Sequence, residues 1–236
     1  MRSIQPNITK GARVQFTPLD GCSALTSRTI ATECVPGWAA RLVRATEEVE
    51  APHVGGGFGP ALIYVLNGEL GVRSKGLRDD KLIPGDCLFV PTASDLHRLG
   101  WSRDAVALEV YPPSDAGAGR ACLTRAAQTP YSDHPSWSWL KRRDLGVRVA
   151  SNGQLGAYLT VCAQSAPEPC GHRSYSYQFH LMFIAQGFCQ MDYGEMGRYT
   201  LITGDAAVHP ADLPHEIVMR SDDCEILEVV SPDGAG

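Results

Sequence analysis

An all-β fold built from two tandem domains is predicted by three features of the sequence. Apolar and polar residues alternate over short runs, among them "ALIYVLNGELGV", "DCLFVP", "AVALEVYP", "HLMFIAQGFCQM", "AAVHP" and "CEILEVVSP". That is the two-residue period of strands. The 24 glycines and 16 prolines are spread along the chain, as many short turns require. The third feature is an internal repeat at a constant offset of 119 residues. At that offset Gly37 falls on Gly156, His53 on His172, Gly68 on Gly187, Gly85 and Asp86 on Gly204 and Asp205, and Pro91 on Pro210. The triplet Leu108 to Val110 falls on Leu227 to Val229, and Pro113 on Pro232. Ten identities in one register, mostly Gly, Pro and His, mark a duplicated unit. Helical periodicity is weak throughout, with one short helix at most in "TPYSDHPSWSWLKRRDLG".

Taken in order, residues 1–27 read as an arm able to cover a sheet edge that would otherwise stay open. Residues 28–113 form a first barrel and residues 146–236 a second. Residues 114–145 join them as a linker, whose Trp137 and Trp139 are expected to pack on one barrel. A chain of 236 residues, 44% hydrophobic, can bury one large core or two ordinary ones.

Charge and composition exclude several roles. The net charge is -5, and the strongest basic cluster is Lys141 to Arg143, which argues against a nucleic-acid surface. No apolar run approaches the ~20 residues that span a bilayer. The opening "MRSIQPNITKGARV" lacks the apolar stretch of a signal peptide, so a soluble, cytoplasmic protein is expected. The cysteines at 22, 34, 87, 122, 162, 170, 189 and 224 form no C-x-x-C pair and read as reduced, mostly buried thiols. Cys170 stands apart because it lies two residues before His172. The segment "HVGGGFGPA" is not a phosphate loop, since no Lys-Ser/Thr follows it and no helix opens after it.

Two motifs carry a family resemblance. "GDAAVHPADLPH" runs from Gly204 through Pro210 and Asp212 to His215. It is similar to the second motif of the cupins, G-x5-P-x-G-x2-H, with Asp212 in place of the second glycine. In the first half "GDCLFVPTASDLH" supplies Gly85, Pro91 and His97, with one extra residue before the histidine. The next hairpin is one residue shorter and the register recovers by Ala107, so His97 is expected still to point inward. The chain therefore resembles the cupin family over residues 28–113 and 146–232. That resemblance implies two double-stranded β-helix (jelly-roll) barrels, a bicupin, with small-molecule sites inside the barrels.

The first cupin motif, G-x5-H-x-H-x3-4-E-x6-G, is matched only in part. His53 and His172 stand at its first histidine, Gly55 and Ser174 at its second. Ala61 and His180 stand at its carboxylate, seven residues before Gly68 and Gly187. The resemblance thus implies a metal site of His172, His180 and His215 in the second barrel. It leaves the first barrel only His53 and His97, and that barrel is expected to hold no metal and to serve structure. A reading of the strand alone puts His180, Met182 and Ile184 on one face, and Leu181, Phe183 and Ala185 on the other. A buried imidazole needs a partner. A metal is one, and a carboxylate or amide in a metal-free ligand pocket is another; both readings stand. Neutral imidazoles suit a divalent first-row metal, with Fe placed first and Zn, Ni, Mn, Co or Cu as alternatives. Three protein nitrogens leave coordination positions open, the pattern of a catalytic centre. Gln178 shares the His180 face if the strand starts early, and could be a fourth ligand or orient one. His209, next to Pro210, reads as a surface or interface residue.

Tyr175 and Tyr177 flank the entry strand and are candidates for proton transfer or substrate hydrogen bonding, against simple packing at a strand end. Arg173 could clamp a carboxylate, although alternation with His172 points it away. Glu109 and Glu228 recur inside apolar triplets, either as structural partners of Arg or His or, for Glu228, as a proton shuttle. Resemblance to quercetinase-like and other three-histidine cupins implies an O2-dependent dioxygenase, an oxidoreductase acting on a small-molecule substrate. Phe183, Met182, Ile184 and the tyrosines point to an apolar or aromatic one. An isomerase, lyase or cyclase with the metal as Lewis acid is the alternative, and a metal-free ligand-binding bicupin the third. The partners expected are a small molecule and a homodimer mate, with neither nucleic acid nor membrane.

Overall fold

A computed structural model of the chain describes residues 6–9, 17–19, 22–31, 37–49, 53–54, 59–75, 77–92, 95–113, 119–135, 137–163 and 171–231. The chain divides into two compact units. The N-terminal unit takes residues 14–129 and 146–154; the C-terminal unit takes residues 1–13, 130–145 and 155–236. Strand β1 (Asn7–Thr9) belongs to the C-terminal unit.

The N-terminal unit is built from β2 (Thr17–Leu19), β3 (Cys22–Ala31), β4 (Ala39–Ala45), β5 (His53–Val54), β6 (Ala61–Asn67) and β7 (Leu70–Ser74). It continues with β8 (Asp80–Leu82), β9 (Cys87–Val90), β10 (Leu96–Trp101), β11 (Val106–Tyr111) and β12 (Cys122–Thr124), and a one-turn helix α1 (Val147–Ala150). The strands form a seven-stranded antiparallel sheet, β12-β9-β6-β11-β4-β3-β2, and a four-stranded sheet, β5-β10-β7-β8. Alternate residues of both sheets, such as Ile63, Val65, Leu88, Val90, Val72 and Leu96, meet in one core. Each such fully buried aliphatic contributes about 1.5–3 kcal/mol.

The C-terminal unit contains β13 (Ser132–Asp133), β14 (Leu140–Asp144), β15 (Gly156–Cys162), β16 (Phe179–Gln186), β17 (Phe188–Asp192), β18 (Arg198–Ile202), β19 (Ala206–His209), β20 (Glu216–Arg220) and β21 (Glu225–Ser231). Its sheets are β1-β19-β16-β21-β15-β14-β13 and β18-β17-β20. Met182, Ile184, Met191, Leu201, Ala207 and Ile226 make its core. Each unit is thus a jelly-roll sandwich of antiparallel sheets closed on its own core, the all-β, two-barrel architecture the sequence predicts.

The repeat is one of structure as well as sequence. Asp86 Oδ2 accepts the backbone N–H of Ile83 at 3.2 Å, and Asp205 Oδ2 that of Ile202 at 3.0 Å. Gly68 and Gly187 turn equivalent hairpins with φ of +70° and +71°. A Cβ on Gly68 would lie 2.6 Å from the Ala105 Cα, so neither the backbone conformation nor the space admits a larger residue. Gly37 and Gly156 are not equivalent in register. Gly156 pairs within the sheet opposite Val230, whereas the residue facing Tyr111 in the other unit is Ala39.

The placed strands bear on three expectations. Residues 7–9 of the expected arm pair with Ala206 to Val208 on the free side of β19. Residues expected as a linker supply strands, β12 to the N-terminal sheet and β13–β14 to the C-terminal sheet. The expected inward register of His97 is corrected: Leu96 and Arg98 are buried, 0% and 1% exposed, while His97 between them is half-buried. The strand itself keeps the register of its C-terminal counterpart, with His97 opposite Arg73 as Glu216 is opposite Asp192. The histidine comes one residue after the inward position that Leu96 fills here, and a one-residue displacement exchanges the two faces. Cys87, Cys122, Cys162, Cys189 and Cys224 are free thiols, buried or half-buried, and Cys170 lies outside the described residues.

Candidate metal centre

Strand pairing brings the first two histidines together. β16 and β19 run antiparallel with His180 directly opposite His209, both on the face that carries Met182 and Ala207 into the core. After His209 the chain turns through Pro210 to Leu213 and returns with His215. Asp212, standing where the cupin motif has glycine, adopts the left-handed φ of +61° that the turn requires, a region Asp tolerates better than most residues. Its N–H donates to the Tyr175 carbonyl at 2.9 Å, and His215 exchanges two backbone hydrogen bonds with Arg173. The loop before β16 is thereby tied to the turn that presents His215.

The three rings converge. His209 and His215 are stacked with centroids 4.3 Å apart, and His180 lies 5.0 Å from His209 and 5.9 Å from His215. All three are buried, 4%, 1% and 7% exposed, and one ring nitrogen from each falls within 4.8 Å of the others. Bonds from a metal to imidazole are about 2.1 Å, so nitrogens on one ion sit roughly 3–4 Å apart. The trio is therefore close to a ligand set.

Hydrogen bonding fixes how the rings present themselves. His215 Nδ1 donates to the Leu213 carbonyl at 2.9 Å, which leaves the lone pair on its Nε2. His209 Nε2 lies 2.7 Å from the buried Tyr193 hydroxyl, and its Nδ1 has no partner among the described residues. His180 Nε2 also lacks a hydrogen bond, with a Glu228 carboxylate oxygen at 3.4 Å outside hydrogen-bond geometry. Burial holds His209 far below the ordinary imidazole range, reinforced by His180 and His215. Burial also lowers His215 to about 4, against the raising effect of its bond to Leu213 and with help from His180. Both rings are neutral near pH 7, as metal ligands must be. Orphaned ring nitrogens in a buried cluster are what a divalent cation would satisfy, and the residues present fit one.

The residues singled out in the sequence divide around this centre. His180 and His215 belong to it. His172 does not: its Nε2 pairs with Asp192 at 3.2 Å, and its side chain is 38% exposed. Gln178 is exposed and precedes the first residue of β16, so the alternation that would turn it inward has not begun. His209, expected at the surface, is instead the most buried of the three. The signal for it was present in the parity of β19, where Ala207 and His209 share the inward face. Tyr175 and Tyr177 stack on each other at 5.7 Å, and their rings lie 5.8 and 5.7 Å from His180. Arg173 lays its guanidinium over Trp137 at 4.2 Å. Glu228 faces inward, with Oε1 accepting the Thr160 hydroxyl at 2.7 Å. Burial works against its charge, but His180 and Thr160 together hold it below the usual carboxylate range.

A cavity of about 40 Å³ opens beside the histidines. His180, His215, Tyr175, Trp139, Glu216 and Glu228 are among its walls. A larger groove of about 640 Å³ lies on the N-terminal unit beside Glu69, Lys81 and Trp101 and has no histidine in its lining.

No protein-family model matches the chain, and no curated protein does. Solved structures do resemble it. The protein YlbA of E. coli superposes with a TM-score of 0.73 at 12% identity, covering 96% of this chain and 90% of that one. The Streptomyces albus enzyme HEPD, solved with 2-hydroxyethylphosphonate and Fe(II) bound, gives 0.73 at 10% identity, covering 98% and 77%. The oxalate decarboxylase of Bacillus subtilis, with Mn(II) centres, gives 0.64 at 12% identity, covering 97% and 78%. At these identities the likeness establishes the cupin fold. Among the described residues no helix is long and apolar enough to cross a membrane.

Proposed function

We propose that this chain is a metal-dependent bicupin enzyme whose reaction takes place in the C-terminal barrel. The observation that carries the reading is the buried trio of His180, His209 and His215, two of whose ring nitrogens have no hydrogen-bond partner among the described residues. Solved neighbours that carry Fe(II) or Mn(II) support a divalent first-row metal. Such an ion would supply Lewis acidity and, as Fe or Mn, one-electron chemistry for an oxygenase acting on a small organic substrate. Three protein ligands leave room for that substrate. The chain's own groups have separable tasks. His215 is held by Leu213 and Arg173, and His209 by Tyr193, so both rings are positioned before a ligand arrives. Tyr175 and Trp139 shield the cavity from water and provide an aromatic wall. The size of the cavity favours a compact substrate.

A non-redox isomerase or lyase is the second reading, and Glu228 favours it. Its carboxylate lies on the cavity wall beside His180 and is held in its charged form, a base within reach of a small ligand. Metal analysis of protein purified without a histidine tag tests the common premise. Wild type should hold close to one equivalent per chain, while His180→Ala and His209→Ala lose most of it. Fewer than about 0.2 equivalents after reconstitution would refute a metal centre. Turnover with and without O2 then separates oxygenase from isomerase.

A further inference from the structure

The N-terminal barrel buries a cation near the positions where its sister gathers imidazoles. At the repeat offset, His180 and His209 become Ala61 and Val90, which still face each other across β6 and β9, and Tyr193 becomes Ser74. Three large polar side chains are thus absent from one region of the interior. Arg98 stands opposite Val72 where the other barrel has Ile217 opposite Met191, an inward position, and is 1% exposed. Its Nε donates to Glu109 Oε1 at 2.9 Å and its Nη2 to the Tyr111 hydroxyl at 3.1 Å. Arg41 donates to the other oxygen of Glu109 at 2.8 Å and to the Tyr111 hydroxyl at 2.9 Å. Two guanidinium groups therefore share one carboxylate, and among the described residues the network holds one more cation than anion.

Two donors in this network's neighbourhood go unused. Arg98 Nη1 and the Ser74 hydroxyl are both buried with no hydrogen-bond partner among the described residues. Strand register makes them neighbours. Ser74 and Val72 share the inward face of β7, and Arg98 pairs with Val72 across β10. Ser74 is therefore diagonal to Arg98 on the same face, within reach of a long side chain. An unpaired, buried cationic donor beside an unpaired hydroxyl is costly, and an anionic acceptor relieves both deficits. Arg41, 23% exposed, connects the network to solvent.

We propose that the N-terminal barrel binds a small carboxylate or comparably sized oxyanion between Arg98 and Ser74, on the site where its sister barrel gathers imidazoles. A planar carboxylate suits the free edge of a guanidinium, with one oxygen on Nη1 and the other on the Ser74 hydroxyl. The two barrels would then carry ligand sites of opposite charge preference at equivalent places. This proposal is independent of the metal reading.

Titration of the full-length, EDTA-treated protein with 13C-formate, followed by NMR line broadening and calorimetry, tests it. One saturable site per chain is expected. It should persist in His209→Ala, which removes a ligand of the C-terminal centre. Arg98→Met should weaken it by at least about tenfold, the loss of one charge-assisted hydrogen bond. Should Arg98→Met fail to fold, Ser74→Val carries the test, since it removes a donor and adds bulk without touching the ion pair. Binding lost in His209→Ala but kept in Ser74→Val would place the anion in the other barrel and overturn the proposal. No saturation in wild type, with Arg98 served by a buried water alone, would overturn it as well.

Discussion

Replacing Tyr193 by Phe removes one oxygen from the wall behind the histidines, and its consequences can be worked out in advance. That oxygen lies 2.7 Å from His209 Nε2, and the two residues are 3% and 1% exposed. In metal-free protein the variant loses a hydrogen bond and leaves a ring nitrogen buried without a partner, together about 2 kcal/mol. For a domain of this size the unfolding midpoint should fall by about 8 °C. In metal-loaded protein a second effect adds to the first. With Nε2–H donating to Tyr193, the lone pair of Nδ1 is left for the ion, and losing that orientation should weaken metal affinity by about 10–100-fold. Competition against a chromophoric chelator measures the affinity, and urea unfolding in EDTA measures the stability. A variant destabilised as expected but binding metal as tightly as wild type would refute the reasoning. Tyr193 would then only fill space, and His209 would not ligate through the nitrogen it leaves free.

Further outcomes follow from other contacts. His172→Ala should retain metal at wild-type stoichiometry, because its ring lies on Asp192 outside the trio; loss of the ion on elemental analysis would return His172 to the ligand set. Burial alone would raise the Glu109 carboxyl, but Arg98, Arg41 and Tyr111 outweigh it and hold the group at about 2 against an ordinary 4.5. Its folded value is depressed, so its contribution is complete above the ordinary value and lost as pH falls towards the depressed one. That amounts to about 3 kcal/mol, and urea titrations between these limits should show an acid limb that flattens in Glu109→Gln. An acid limb unchanged by the substitution would contradict the assignment. Gly68→Ala should cost about 2 kcal/mol from the positive φ alone, plus the clash with Ala105, and an unchanged melting curve would remove the turn argument.

The barrels were legible in the sequence because their signals are local and repeated. Alternation set the strands, and the Gly-Asp turns recur with the same backbone hydrogen bonds. His180 was legible for the same reason, since β16 is a long, regular alternation. What failed was inference across turns. Gln178 was expected inward only if the strand began before Phe179, and His172 only through the motif, whereas both lie in irregular chain, His172 on Asp192 and Gln178 exposed. His209 was passed over because it adjoins a proline, although proline constrains the backbone that follows it and not the inward parity of the strand it ends. The Tyr193 and Leu213 contacts join residues whose approach depends on tertiary closure, and no spacing rule announces them.

The contrast between the two halves turns on strand parity. In the C-terminal unit the second motif delivers His215 with its backbone paired to Arg173 and its ring turned in. In the N-terminal unit the strand keeps the same register, but the histidine falls one residue later and faces out, and the inward position of Ile217 carries Arg98. Once a guanidinium occupies the interior, a dication there would face a net positive charge in a low-dielectric site, so restoring histidines at Ala61 and Val90 would not by itself restore a metal centre. Glu109 is retained opposite Ile63 as Glu228 is opposite Met182, but its role differs with its neighbour. Beside Arg98 it is a locked counter-ion, and beside His180 it borders a cavity. The same carboxylate in the same strand register is structural in one barrel and chemically available in the other, because Arg98 stands where the other barrel has Ile217 and Ala61 where it has His180.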